Sequence, residues 1–293
     1  MKAILKETRE AAWAKLNISL DVTDKRPDGF HNMVMVMQSI SLSDDVHVRL
    51  NDSGKVRAKT NFSFIPGDER NLAVKAALRF LKEIGGENQG MVIDINKRIP
   101  VGAGMAGGSA NAAAVLRALN RIYGDAFTGE QLEKMSEDVG SDVPFCVRCG
   151  TVLASGRGEI LETLPNMPDC AIVVCKPEFS ISTPELFRKL DQVSLRCHPD
   201  TAGIVEALHR GSLEQVCRRM YNVFEDVDDR RLRTVVDIKG IMLDHGALGA
   251  MMTGTGSAVF GVFRSDAVTD ELERKLASAY GFCERAECVG RAI

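Results

Sequence analysis

The chain has 293 residues and a mass of 31.9 kDa, a length that can bury a large core and that is typical of about two domains. Its composition, 45% apolar and 26% charged, excludes a disordered, fibrous or collagen-like chain. The net charge of −3 argues against wholesale attraction to nucleic acid or to an anionic membrane, so an anionic ligand must be held by a local site.

The N-terminal residues are charged where a signal peptide needs an apolar core, and no apolar run reaches about 18 residues. These features predict a cytoplasmic protein without a membrane segment. Eight cysteines are scattered through the chain, which favours reduced thiols in a reducing compartment. Cys146 and Cys149 form a CxxC pair, but the sequence lacks a second pair or a His pair at fitting spacing, so we predict no metal site.

Hydrophobic periodicity and turn residues predict the elements of the first half. Strands are expected over 16–22, 33–41 and 45–50, a helix over 71–84, and a strand over 91–95 that leads into a glycine-rich loop. Helices are expected over about 111–123 and over 128–139. Thr128 and Gln131 give the second of these helices a capping-box pattern.

The second half begins after Glu159. It is predicted to contain a strand over 171–175, a helix from about 184, one or two helices across 203–221, strands over 248–252 and 259–263, and a last helix over 266–280. The charge run over 225–233 is interpreted as a solvated face. Because strands and helices mix without a repeated βαβ unit, the pattern favours an α+β fold.

The strongest chemical signal is the stretch 100–113, a loop with four glycines between a strand and a helix. Small residues let backbone N–H groups close on a phosphate, and the following helix adds its positive N-terminal dipole. Gly102, Gly104 and Gly107 match GxGxxG, but the second strand ending in an acid that a dinucleotide site needs does not follow. The sequence also lacks the Gly-Lys-Ser/Thr that closes a Walker A loop, and it lacks the lysine, catalytic-loop and Asp-Phe-Gly motifs of a protein kinase. A glycine-rich turn between packed elements remains the structural alternative.

A second signal is an apolar strand that carries Lys15 and Asn17 on one face. A lysine in this position can place a fixed positive charge beside phosphate oxygens, and Asn17 can hydrogen-bond a polar substrate. Taken alone, Lys15 is more typical of a surface lysine at a strand edge. His31, which follows the next turn, equally fits an ordinary histidine.

Two further turns have a possible chemical role. Asp142, within 140–145, has the residue type that orients an attacking alcohol in phosphoryl transfer, where positioning matters more than base strength. The alternative is an aspartate that caps or tightens a turn. The stretch 253–258, with two glycines and three hydroxyls, suits close approach to a ligand or to the first loop, and a tight hairpin is its alternative.

Together these motifs resemble the GHMP kinases in order and spacing, over about residues 12–265. The shared stretches are 14–17, 26–31, 100–113, 140–145 and 253–257, supported by 69–72, 96–100, 155–159 and 222–225. The resemblance implies a two-domain α+β fold. Its N-terminal nucleotide-binding domain, over 1–160, would be like the second domain of ribosomal protein S5, and its C-terminal domain, over 161–293, would be ferredoxin-like.

The resemblance also implies an ATP-dependent kinase. The Asp28-Gly29-Phe30-His31 segment is similar to that of members that phosphorylate the 2-hydroxyl of 4-diphosphocytidyl-2-C-methyl-D-erythritol in the non-mevalonate route to isoprenoid precursors. The alternatives are another small-molecule kinase of the family and, from a different class, an RNA-binding module with the S5-like fold. The expected partners are the small-molecule substrate and ATP, with no nucleic acid or membrane, in a monomer or homodimer.

By the same resemblance, Asp142 orients the hydroxyl and accepts its proton, and Lys15 stabilises charge and keeps Asp142 ionised. The residues implied to bind ATP are Pro100, Gly102, Gly104, Met105, Ala106, Gly107, Gly108, Ser109, Ala110 and Asn111. Those implied to bind the substrate are Asn17, Phe30, His31, Asp142, Phe187, Gly254 and Thr255. Of these, His31 is assigned to the cytosine edge, and Phe30 and Phe187 to its ring.

The chain departs from the family pattern at three positions. Phe30 stands where the family has Tyr, which keeps the stacking face and loses a hydroxyl. Trp13 replaces a proline. Ala110 replaces a second serine, so Ser109 becomes the hydroxyl that can serve phosphate or Mg²⁺. Mg²⁺ is expected with the triphosphate, although the motifs contain no evident carboxylate ligand.

Overall fold

The computed structural model of the chain describes residues 3–195, 197–264 and 270–292. The strands are β1 (Glu7–Lys25), β2 (His31–Asn51), β3 (Val56–Thr60), β4 (Gly90–Asn96), β5 (Thr151–Gly156), β6 (Ile160–Thr163), β7 (Ala171–Lys176), β8 (Tyr221–Asn222), β9 (Gly249–Met252), β10 (Val259–Phe263) and β11 (Phe282–Val289). The helices are α1 (Leu72–Ile84), α2 (Gly107–Ile122), α3 (Gly129–Ser136), α4 (Val143–Arg148), α5 (Thr183–Leu190), α6 (Thr201–His209), α7 (Leu213–Cys217), α8 (Leu232–Asp244) and α9 (Asp270–Tyr280), with a 3-10 helix over Val223–Asp226.

A long antiparallel hairpin of β1 and β2 dominates the N-terminal part. The predicted strands over 33–41 and 45–50 are one strand, β2, so the prediction of a break between them was wrong. The register shifts between Trp13, opposite Ser43, and Ala14, opposite Ile40, so Ser41 and Leu42 of β2 are the unpaired residues of a bulge. A bulge interrupts the alternation of apolar and polar residues on which strand prediction depends.

The sheet runs through both parts of the molecule in the order β3-β4-β2-β11-β7-β10-β9, with β1 and β5 also paired to β2. β11, which was not predicted, pairs with β7 and then with β2, so it joins the two parts. The predicted boundary between residues 160 and 161 lies at the start of β6, which pairs with β5 of the N-terminal part. The antiparallel pairing, with helices packed against the sheet, confirms an α+β fold.

Two predicted helices support the site. α1 has Asn71 as its N-cap, whose side chain accepts a hydrogen bond from the Ala73 N–H, and it ends at Gly85 in the left-handed conformation. α2 is buried along most of its length and begins at Gly107 rather than near Asn111. The last glycines of the loop therefore form the first turn of the helix.

The charge run over 225–233 is solvated for the most part, as predicted: four of its seven charged residues are exposed, and Asp229 is the buried exception. Asp229 is 7% exposed and accepts hydrogen bonds from Lys189 and Arg231. The run leads into α8, a helix that the sequence analysis did not predict, because charged residues occupy its approach. Residues 266–269 of the predicted last helix lie outside the described residues. No described helix combines the length and apolar character needed to cross a membrane.

Candidate active site

A cavity of about 520 Å³ brings the predicted motifs together. One wall is the glycine-rich loop with the first turn of α2, and another is contributed by β1 and β2. The N-terminus of α4, helix α5 and the turn between β9 and β10 complete it. The lining thus draws on both parts of the molecule.

The glycine loop has the backbone geometry of a close-approach site. Gly102 and Gly104 have φ values of 65° and 76°, and Ala106 is also left-handed, with φ of 54°. A Cβ on Gly104 would lie 2.2 Å from the carbonyl oxygen of Thr253, so a side chain does not fit there. The residues that open α2, Gly107 among them, line the cavity, and the positive end of the helix dipole adjoins it.

The turn at 253–257 packs against this loop. Gly254 has φ of 57°, and a Cβ there would lie 2.9 Å from the carbonyl oxygen of Gly104. The Ala258 N–H donates to the carbonyl oxygen of Ala103 at 3.2 Å. The turn also connects antiparallel strands β9 and β10. The predicted contact with the first loop and the alternative of a hairpin are therefore both correct.

Lys15 is buried in the site rather than exposed at a strand edge. Its residue exposure is 5%, and it lines the cavity. Its Nζ donates a 2.6 Å hydrogen bond to the Oδ1 of Asn17, two residues along the same face of β1. Asn17 in turn receives the Gly254 N–H at 3.0 Å and donates its own backbone N–H to Thr253. The ammonium group is thus held by a neutral partner.

Asp142 lies at the N-terminus of α4, and its side chain makes no capping hydrogen bond there. Asp142 lines the same cavity as Lys15, but within the part of the chain that the structure describes no ion pair joins these two side chains. Both groups act on the buried Cys146 thiol, whose pKa is raised by burial and by the Asp142 charge and lowered by Lys15. The turn-capping alternative has no support in the hydrogen bonding of Asp142.

A buried cluster supports the entrance to the loop. Lys97 donates to Asp44 and, at 3.0 Å, to the Oδ1 of Asn111, and Asn111 donates to Asp44 at 2.7 Å. The second oxygen of Asp44 accepts the backbone N–H groups of Arg98 and Ile99. A buried carboxylate is stable only when paired and hydrogen-bonded, and here both conditions are met.

The tip of the hairpin between β1 and β2, residues 25–31, contributes to a separate aromatic group beside α5. The His31 ring stacks on Phe187 with centroids 4.7 Å apart, and its Nε2 lies 2.7 Å from Asp191. Hydrogen bonds from Lys25 and then from His31 hold the pKa of Asp191 below its ordinary value. Because an ionised carboxylate only accepts, this bond requires the proton of His31 on Nε2. Phe30 is 53% exposed.

Two family models match the chain: the GHMP kinases N terminal domain over residues 71–150 and the GHMP kinases C terminal over residues 204–281. The 4-diphosphocytidyl-2-C-methyl-D-erythritol kinase of Geobacillus kaustophilus is 42% identical over 94% of each chain. That of Bacillus subtilis is 40% identical over 96% of this chain and 95% of its own. The chain belongs to the GHMP kinase family.

Solved structures agree with this membership. A crystal structure of 4-(cytidine 5'-diphospho)-2C-methyl-D-erythritol kinase is 30% identical, with a TM-score of 0.76 over 97% of this chain and 100% of its own. A homoserine kinase from Cytophaga hutchinsonii is 20% identical, with a TM-score of 0.78 over 99% and 97% of the two chains, which shows the shared fold alone. The resemblance, the fold and the kinase activity that it implied are confirmed, and the RNA-binding alternative is set aside.

The GHMP kinase cavity contains most but not all of the predicted residues. Of the predicted ATP-binding residues, Ala110 alone is absent from the lining, because it is 1% exposed on the core side of α2. Phe187, Gly254 and Thr255 line the cavity, whereas Asn17, Phe30 and His31 do not. Asn17 contacts the cavity lining through its hydrogen bond with Lys15, and Phe30 and His31 belong to the hairpin tip.

Sequence reasoning missed several residues of this kinase site. Lys97, Arg70 and Thr183 line the cavity, and Thr183 shares a 2.8 Å hydrogen bond with Thr255. The stretches 69–72 and 96–100 resembled the family and were the available signal for the first two. Asp44 gave no signal, because its partner Lys97 is remote in sequence.

The ligands that this kinase cavity offers are sufficient for Mg²⁺ only when the ion is bound together with the triphosphate of ATP. Within the described ranges, no group of three or more His, Cys, Asp or Glu side chains is arranged to hold a metal ion. The oxygen donors in the lining are the Asp142 carboxylate and hydroxyls such as that of Ser109. Mg²⁺ takes most of its ligands from water and substrate phosphates, so a sparse oxygen set is sufficient.

Proposed function

We propose that this kinase transfers the γ-phosphoryl group of ATP to the 2-hydroxyl of 4-diphosphocytidyl-2-C-methyl-D-erythritol, the compound in the name of its relatives. The observation that carries the proposal is the shared lining of one cavity by the glycine loop, Lys15, Asp142 and Phe187. Such a cavity combines a phosphate-binding wall, a fixed positive charge, a carboxylate and an aromatic surface for a base.

At the ATP end, the loop from Pro100 to Ser109 wraps the phosphates. Its left-handed glycines turn backbone N–H groups toward the ligand, and the N-terminus of α2 favours negative charge. The cluster of Asp44, Lys97 and Asn111 holds the loop entrance in place, which we propose as its role in nucleotide binding. Asn111 therefore acts by positioning the loop.

At the transfer point, the substrate hydroxyl oxygen attacks the γ-phosphorus, and the bond from phosphorus to the ADP oxygen breaks. The hydroxyl proton passes to the Asp142 carboxylate. Lys15 places its charge beside the transferring oxygens, and its Asn17 partner fixes Nζ without cancelling that charge. Since the transition state is loose, most of the catalysis comes from this positioning and charge stabilisation. Mg²⁺, when bound with ATP, supplies charge neutralisation at the phosphates, and Ser109 and Asp142 are the residues that would hold it.

At the cytidine end, the hydrogen bond to Asp191 places a proton of His31 on Nε2, and in the neutral imidazole Nδ1 is then an acceptor suited to the exocyclic amine of cytosine. The Arg157 guanidinium lies 4.4 Å from the centroid of Phe30 and covers one face of that ring. The other face is available for stacking on a base. Phe187, which lines the cavity and stacks on His31, connects this end to the transfer point.

A substrate panel tests the proposal. ADP release by the purified kinase is measured with ATP and Mg²⁺ in the presence of the diphosphocytidyl methylerythritol, mevalonate or homoserine, or with no acceptor. We expect ADP only with the cytidine substrate, in amounts equal to a new phosphate ester seen by phosphorus NMR. Turnover with another alcohol alone would replace the substrate assignment by that of another GHMP kinase.

A further inference from the structure

Two pairs of cysteines lie near the two ends of the ladder between strands β7 and β11 in the C-terminal part. Cys175 pairs directly with Cys283, and Ala171 pairs with Glu287. Cys170 directly precedes β7, and Cys288 follows Glu287 in β11, so their sulfur atoms meet just beyond the last pair of the ladder. Because side chains alternate along a strand, and 170 and 175 differ by an odd number, the two cysteine pairs lie on opposite faces.

The Cys170 and Cys288 pair is the one that lines a cavity. The two Sγ atoms are 3.7 Å apart, and both residues line a second cavity, of about 470 Å³, together with Asp169 and Arg285. By contrast, Cys175 is 0% exposed, and neither it nor Cys283 lines this cavity. A disulfide S–S bond is about 2 Å long, so the Sγ atoms of Cys170 and Cys288 have to approach by less than about 2 Å to form one.

We propose that Cys170 and Cys288 are an oxidation site that closes to an intramolecular disulfide when hydrogen peroxide enters this cavity. The Cys170 thiolate attacks one peroxide oxygen, and the O–O bond breaks. Hydroxide departs, and Cys170 becomes a sulfenic acid. Cys288 then loses its proton and attacks the Cys170 sulfur, and the S–O bond breaks as hydroxide departs. Both protons combine with hydroxide, so two thiols are oxidised while the peroxide is reduced to two water molecules.

The two sulfur atoms share one hydrogen bond and line the same cavity, so a peroxide in that cavity is next to both thiols. The hydrogen bond shared with Cys288 holds the pKa of Cys170 below its usual value, against the effects of burial and of the Asp169 charge. The same bond, together with burial, raises the pKa of Cys288. The thiolate, which is the reacting form, is therefore favoured on Cys170. Cys217 has its pKa raised to about 12 by burial, so it is the weaker competitor.

The Cys170–Cys288 disulfide would link the residue before β7 covalently to β11, the strand that pairs with both parts of the molecule. Cys288 lies opposite Ile40 of β2 while β11 is still paired to β7. The two cysteines are 118 residues apart, and closing a loop of that size restricts the unfolded chain strongly. The catalytic cavity shares no lining residue with the second cavity. Oxidation should therefore stabilise the fold and leave turnover within about twofold.

The test treats the reduced full-length kinase with hydrogen peroxide, alkylates the remaining thiols, and maps disulfide peptides by mass spectrometry. We expect a single Cys170–Cys288 peptide and a rise in Tm of about 5–10 °C, both reversed by dithiothreitol. Cys288→Ser should form no disulfide and should leave a Cys170 sulfenic acid that dimedone captures. The variant with Cys175→Ser and Cys283→Ser is the matched control and should oxidise like the wild type.

Three results would overturn the proposal: a disulfide mapped to Cys175 and Cys283, one mapped to Cys217, or full alkylation of Cys170 and Cys288 after oxidation. Kinase activity and thermal melting of each variant in the reduced state report whether it is folded. If Cys288→Ser is unfolded, Cys288→Ala and Cys170→Ser serve in its place.

Discussion

The backbone N–H of Gly254 donates a 3.0 Å hydrogen bond to the side-chain oxygen of Asn17, and that oxygen also receives the Lys15 ammonium at 2.6 Å. One amide oxygen therefore links the second glycine turn to the lysine of the transfer site. The partner of Lys15 is neutral, which leaves the full positive charge available for phosphate oxygens.

Asn17→Asp changes the charge at this point while keeping an oxygen that accepts both hydrogen bonds. We expect kcat to fall about 10²-fold, because the new carboxylate neutralises Lys15, while Tm changes little. Asn17→Ala removes the oxygen and should lower both kcat and Tm. Steady-state kinetics with thermal melts distinguish the two variants. An Asn17→Asp enzyme with wild-type kcat would show that the Lys15 charge is not used.

Gly104→Ala tests the contact between the two glycine turns. The added Cβ would meet the Thr253 carbonyl oxygen at 2.2 Å, in a left-handed backbone. Gly85→Ala is the matched control, since Gly85 has φ of 71° and nothing within 4 Å of an added Cβ. Urea unfolding should show a loss of about 1–2 kcal/mol for the control from backbone strain alone and clearly more for Gly104→Ala. The KM for ATP should rise at least about tenfold in Gly104→Ala alone. Equal losses of unfolding free energy in the two variants would mean that the loop can move enough to accommodate the added Cβ.

Asp191→Ala tests how His31 is held. Loss of the 2.7 Å hydrogen bond frees the imidazole to change tautomer, so the KM for the cytidine substrate should rise about tenfold, with kcat within about twofold. Asp191→Asn keeps an acceptor oxygen and should recover most of the affinity. The KM for ATP, measured in the same assays, should not move. A fall in kcat at constant KM would contradict a role in base recognition.

Asp229→Asn tests the buried part of the charge run. Hydrogen bonds from Arg231, and then from Lys189, hold the pKa of Asp229 well below its ordinary value. A depressed carboxyl pKa stabilises the fold above the unfolded pKa of about 3.9, and this contribution is lost as pH falls toward the folded value. We expect a loss of about 1–3 kcal/mol at pH 7 and pH 5 that shrinks below about pH 4. The exposed Asp228→Asn is the control in urea unfolding. A pH-independent loss would point to packing instead.

Local signals predicted local structure well. The caps of α1 and α3 depend on residues within one turn, Asn71 and Gly85 for α1 and Thr128 with Gln131 for α3, and these elements were found where expected. The glycine loop was also recognised, because closely spaced glycines between a strand and a helix are typical of a backbone that approaches a phosphate.

Relationships between remote residues were not predictable in this way. In the sequence, Asp44 resembles an ordinary polar residue of a strand. Its burial is compensated by an ion pair with Lys97, 53 residues away, and by hydrogen bonds from Asn111 and from two backbone N–H groups. The division of β2 into two strands failed because its bulge faces β1, a partner whose register the sequence does not display. The Asn17 and Gly254 contact spans 237 residues and exists only after both parts of the molecule have folded together.

The most direct test of the account is the rate of a single turnover by rapid quench, with saturating ATP, Mg²⁺ and diphosphocytidyl methylerythritol. We predict that Lys15→Ala and Asp142→Asn each slow phosphoryl transfer at least about 10²-fold while ATP binding stays within about threefold. Asp138→Asn, whose side chain is 80% exposed, is the control and should match the wild type. Rates within about tenfold of the wild type in both variants would contradict the assignment of Lys15 and Asp142 as the catalytic pair.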